Sequence, residues 1–156
     1  MTDATNQLGR PTGAFIGASW FVLALGIALY MIGLWNATME LNEKGYYFTV
    51  FLFGLFAAVS LQKAVRDRAE EIPVTGIYMG IAWFALLASV VLLTVGLWNA
   101  GMLLSEKGFY ALGFVMSLFA VITVQKNVRD LAAHRVVHPE QHISERVSRF
   151  EQTPQL

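Results

Sequence analysis

The chain has 156 residues, 56% of them apolar and only 14% charged, with a formal net charge of zero, a mean hydropathy of +0.53 and no cysteine. A soluble domain carries about 25% charged residues, whereas here no charge falls between positions 11 and 39 or between 72 and 105. These values exclude a soluble globular domain, a disordered or collagen-like chain, a disulfide framework and thiol or Cys–zinc chemistry, and they leave no basic stripe for a nucleic acid.

Residues 1–12 form a short polar N-terminus without the basic region of a signal peptide, so the span that follows is expected to stay in the mature protein. The first uncharged stretch, 13–35, exceeds the roughly 20 residues that cross a bilayer. It opens with Gly13-x-x-x-Gly17, a small-residue pattern read as a helix contact within the chain or between chains. It ends in GLWNA (33–37). There Trp35 suits headgroup level and Asn36 suits an interhelical hydrogen bond or a polar cavity. The turn ELNEKG (40–45) is read as a tight hairpin, with Asn42 as N-cap, Glu43 in the first turn where the helix dipole favours an anion, and Lys44 as interfacial anchor.

The second stretch, 45–61, has only 17 uncharged residues, but nine are Leu, Phe or Val, which together favour insertion by about 3 to 5 kcal/mol. It ends in Gln62-Lys63-x-Val65-Arg66-Asp67, where Lys63 and Asp67 are four apart and can pair on a helix. This string reads as a stop-transfer anchor or as a cytoplasmic docking surface. A polar linker, 69–75, leads to the third stretch, 76–104, which carries Gly76 and Gly80 at its start and Trp98 and Asn99 near its end. The turn at 105–108 holds Ser105, Glu106 and Lys107 in the roles given to Asn42, Glu43 and Lys44. The fourth stretch, 108–124, ends in Gln125, Lys126, Arg129 and Asp130. In the tail, 132–156, His134, His138 and His142 are spaced for one helical face, but Pro139 interrupts the run, so no metal site is expected. Residues 139–150 read as a short helix with Ile143, Val147 and Phe150 on the membrane surface or against a neighbour.

The halves repeat. GLWNA, EKGYY/EKGFY and QKxVRD each recur 63 positions later, and aligning 11–68 on 74–131 gives 27 identities in 58 positions. The expected units are 13–68 and 76–131, two tandem, parallel two-helix repeats. Nine Lys and Arg fall in the termini and middle linker and two in the short turns, which places both termini in the cytoplasm. The expected fold is therefore an all-α membrane protein with four transmembrane helices, N-in and C-in.

The repeated strings resemble the YiaA/YiaB two-helix-domain family of bacterial inner-membrane proteins, over 11–131. The resemblance implies a four-span inner-membrane protein and brings no catalytic residues with it.

The spans contain no Asp, Glu, Lys, Arg or His, the residues that mark proton relays and ion-coupled exchange. No acid or His is placed to activate Ser19, Ser60 or Thr123, so no enzyme, cofactor or metal site is expected. The expected role is non-catalytic, scaffolding or binding a membrane partner, in a homo-oligomer within the lipid bilayer. The competing reading is an oligomeric pore or facilitator for a small solute, lined by Asn36, Asn99, Thr94, Ser60 and Thr123.

Overall fold

A computed structural model of the chain describes residues 11–137, with side chains described through Ala133. No side chain of the histidine run is described, and the surface helix expected at 139–150 lies outside the described residues.

Four helices make up the described chain: α1 (Gly13–Asn36), α2 (Leu41–Ala69), α3 (Gly76–Asn99) and α4 (Leu104–Val137). All four are long and apolar enough to cross a membrane. In hydrocarbon every backbone N–H and C=O must find its partner within the segment, which a helix alone of the open structures provides. The 24 residues of α1 and of α3 span about 36 Å at 1.5 Å per residue, enough for a hydrocarbon core of about 30 Å. Thr12 and Thr75 begin these helices by accepting hydrogen bonds from the Phe15 and Tyr78 amides.

Helices α2 and α4 run beyond their apolar stretches because Gln, Lys, Arg and Ala, all good helix formers, follow directly. At the end of α2 the Ile72 amide donates to the Asp67 carbonyl and the Glu71 amide to the Arg68 carbonyl. This is a Schellman termination with Glu71, at φ 59°, in the left-handed position that usually holds glycine.

The turns are short as expected, but the helices they join touch little. Instead α1 lies along α4 and α3 lies along α2, with α2 and α4 crossing at the centre. The reason is steric and chemical fit. An added Cβ on Gly26 of α1 would lie 2.6 Å from the Ser117 hydroxyl of α4, and one on Gly54 of α2 would lie 2.5 Å from the ring of Phe114 and 3.4 Å from the Ser89 hydroxyl of α3. Each cross-pair thus sets a glycine against a serine, which lets two backbones approach closely.

The centre is aromatic. Tyr30 stacks on Phe51 at 4.2 Å between ring centroids and meets Tyr110 edge-on at 5.3 Å, while Tyr47 stacks on Tyr110 and Phe51 meets Phe114. Tyr30 is completely buried, and its hydroxyl donates to the Tyr47 carbonyl at 3.3 Å. Facing outward are large apolar side chains such as Phe21, Phe56, Ile77, Phe84, Leu112 and Phe119, each two-thirds or more exposed. A surface of this kind is stable only when lipid or another apolar partner covers it.

Candidate functional site

The strongest cluster of charge lies where α2 and α4 leave the apolar region. Lys63 pairs with Asp67 at 3.2 Å and Lys126 with Asp130 at 2.9 Å, each within its own helix. The arginines cross over. Arg66 reaches Asp130 at 3.1 Å, and Arg129 reaches Asp67 at 3.3 Å. Glu70 accepts from both arginines, at 2.7 Å from Arg66 and 2.9 Å from Arg129. The repeated QKxVRD string is therefore a reciprocal clasp between the two helices.

The hydrogen bond from Lys63, helped by Arg129, holds the Asp67 carboxyl below its ordinary range against the opposing effect of burial. For Asp130 burial pushes upward, but hydrogen bonds from Lys126 and Arg66 outweigh it and leave the carboxyl low as well. Gln62 and Gln125, at the inner edge of the clasp, each keep a buried side-chain oxygen without a hydrogen-bond partner among the described residues.

At the opposite end the two turns face one cavity of about 540 Å³, lined by Asn36, Glu43, Tyr47, Ser105, Glu106 and Tyr110 among others. The turns are capped differently from expectation. Asn42 and Ser105 are not N-caps. Helix α2 begins at Leu41 with Glu40 as its N-cap, and α4 begins at Leu104. Glu43 and Glu106 instead reach back to accept from the amides of Glu40 (3.0 Å) and Leu103 (2.8 Å). A glutamate at the third helical position can do this because its longer side chain spans the first turn. Lys44 donates to the Trp35 carbonyl at 3.0 Å and Lys107 to the Trp98 carbonyl at 3.4 Å, so each ties its turn to the end of the preceding helix.

Several sequence expectations about polar residues also change. Asn36 and Asn99 donate to the Ile32 and Val95 carbonyls of their own helices, so neither bonds across helices. Thr94 and Thr123 likewise donate to Val90 and Phe119 of their own helices. With Ser60 half-buried and Thr94, Asn36 and Asn99 exposed, these five side chains form no common path through the chain. Trp35 and Trp98 point outward, more than four-fifths exposed, as an interfacial belt requires. Among the described residues a Cβ on Gly13, Gly17, Gly76 or Gly80 would meet nothing within 4 Å, so none of them is shaped by a close helix contact.

The sequence reading missed the glycines that do matter. Besides Gly26 and Gly54, Gly33 and Gly96 of the GLWNA strings admit the rings of Phe109 and Tyr46, whose edges would lie 2.5 and 2.7 Å from an added Cβ. Their recurrence in both strings was the available signal. Also missed was the buried bond from the Asn127 amide to the Ser19 hydroxyl, 3.0 Å long and 108 residues apart in sequence.

A model of the yiaA/B two helix domain matches this chain twice, over residues 15–67 and 78–130. The inner membrane protein YiaA of Escherichia coli (strain K12) is 55% identical over 125 residues, covering 80% of this chain and 86% of that protein. The uncharacterized membrane protein YubF of Bacillus subtilis (strain 168) is 44% identical over 63 residues, covering 40% of this chain and 72% of that protein. No solved structure matches.

Proposed function

The chain belongs to the yiaA/B two-helix domain family and is a membrane protein, and we propose that it is a non-catalytic scaffold or partner-binding protein of the bacterial inner membrane. In this reading 13–68 and 76–131 are two parallel copies of one hairpin, joined by a cytoplasmic linker, and both termini are cytoplasmic. Two features support the like orientation of the hairpins: both turns line one cavity, and the far ends of α2 and α4 meet in the clasp. The excess of Lys and Arg at the clasp end supports a cytoplasmic position for that end. Labelling of single cysteines at positions 44 and 107 in intact cells tests this. Both should react with an impermeant reagent, and protection of both would reverse the topology.

The observation that carries the non-transport reading is the absence of a polar route among the described residues. The hydroxyls and amides of Asn36, Thr94, Asn99 and Thr123 are satisfied on their own helices, and stacked aromatics fill the centre. Functional weight then falls on the clasp and on the open small-residue faces at Gly13, Gly17, Gly76 and Gly80, which suit contact with a second copy or another membrane protein.

One observation favours the competing reading of a facilitator: the cavity between the turns, with Asn36 in its wall. Reconstituted vesicles decide between them. Solute flux no greater than in empty vesicles is expected. Flux that is lost in the Asn36→Leu/Asn99→Leu variant would establish the pore.

A further inference from the structure

A second cavity, of about 550 Å³, lies between α3 and α4, and its walls are apolar except for Thr94 and, at the turn end, Lys107. Eleven residues line it. The sequence supplies an internal control, because each has a counterpart 63 positions earlier in the first hairpin. Six of the counterparts are identical. The other five all differ in one direction: Val90, Leu93, Thr94, Ala111 and Val115 stand where the first hairpin has Ile27, Tyr30, Met31, Phe48 and Leu52. Every one of these is smaller in the second hairpin. In the first hairpin Tyr30 is completely buried and stacks 4.2 Å from Phe51. Leu93 and Phe114, their counterparts, form walls of the groove instead.

The groove's dimensions and charge identify its occupant. Along α4 it extends from Lys107 to Leu118, about 16 Å at 1.5 Å per residue, or half of a hydrocarbon core of about 30 Å. That is the depth of one leaflet. At the headgroup end Lys107 makes one long hydrogen bond among the described residues, 3.4 Å to the Trp98 carbonyl, and its ammonium has further N–H groups to offer an anion. We infer that the α3–α4 groove holds one acyl chain of an anionic phospholipid from the leaflet on the turn side, with the lipid phosphate at Lys107.

The test is native mass spectrometry of the full chain, delipidated in mild detergent and titrated with palmitoyl-oleoyl phosphatidylglycerol or the matching phosphatidylcholine. The wild type should retain one phosphatidylglycerol, about fivefold more tightly than phosphatidylcholine, from one lysine at a membrane surface. Leu93→Tyr and Ala111→Phe restore the first hairpin's residues and should each weaken retention about tenfold by displacing chain methylenes. Their melting temperatures should stay at or above the wild-type value. Lys107→Gln should remove the preference between the two lipids and still retain one. Phe48→Ala, in the other hairpin, should leave retention by this groove unchanged. Equal retention by the wild type and both filling variants would overturn the site, as would a preference for phosphatidylglycerol that persists in Lys107→Gln. Binding of detergent with no retained lipid would overturn the assigned occupant.

Discussion

At the scale of single residues, the cross-helix glycines carry the sharpest expectations. A Cβ on Gly54 would press 2.5 Å from the ring of Phe114, a member of the buried aromatic centre. Gly54→Ala should therefore cost about 1–3 kcal/mol, the usual range for overpacking. Gly17→Ala, with nothing within 4 Å, should leave the melting temperature in detergent unchanged or slightly raised. Equal effects at the two positions would refute the packing described. The Ser19–Asn127 bond offers a second contrast. In the other cross-pair the same positions, 63 residues away, are Ala82 and Ala64, so a polar pair at one seam corresponds to an apolar pair at the other. A double-mutant cycle of Ser19→Ala with Asn127→Ala should give a coupling of about 0.6 kcal/mol, typical for hydrogen bonds between membrane helices. The spacing of residues along the chain made none of this visible, because a glycine or a serine in an apolar run signals little until its opposite number is known.

At the scale of elements, the helix ends decide behaviour. The αL position at Glu71 is strained for a residue with a Cβ, so Glu71→Gly should stabilise the protein by about 1 kcal/mol, read as a rise in melting temperature. The clasp between α2 and α4 should respond to charge reversal. Asp67→Arg should destabilise, and adding Arg129→Asp should restore about 0.5–1 kcal/mol of what is lost. Its pH dependence follows from the lowered carboxyls of Asp67 and Asp130. A carboxyl whose folded value lies below its unfolded one adds stability that is present above the unfolded value and disappears as pH falls through the folded one. Melting temperature should accordingly hold from neutral pH to about 5 and fall below about pH 4, the unfolded range of aspartate. High salt should reduce the drop by screening the exposed members of the cluster. Here the sequence did give part of the answer: the four-residue spacing of Lys63 with Asp67 and of Lys126 with Asp130 forms the pairs it suggests. The crossing of the arginines needed both helices in place. So did the turn caps, since Asn42 and Ser105 are good capping residues by type but are the second residues of helices that start at Leu41 and Leu104.

At the scale of the whole molecule, the exchanged packing of α1 on α4 and α3 on α2 is directly testable. An ideal Cβ on Gly26 lies 3.6 Å from the Ser117 Cβ, within the range a disulfide requires. The chain has no native cysteine, so the Gly26→Cys/Ser117→Cys variant should oxidise to a single intramolecular crosslink that changes gel mobility. Failure to crosslink in a folded protein would reject this arrangement. A crosslink of this kind joins the two halves and holds the aromatic centre closed, so the oxidised variant should also melt at a higher temperature than its reduced form.

Composition and pattern alone determined that the chain is a membrane protein with four helices long and apolar enough to cross a bilayer, and that one two-helix pattern fits it twice. Those properties depend on transfer from water to hydrocarbon and on self-satisfied backbone, and both are local sums over consecutive residues. Tertiary structure alone decided which helices touch, which glycines are contacts and which are open, where the arginines go, and that a groove lies between the helices of the second hairpin. These depend on steric complementarity between segments far apart in the chain, and inside a bilayer, where apolar surface gains nothing from burial against other apolar surface, such fit is what selects one helix pairing over another.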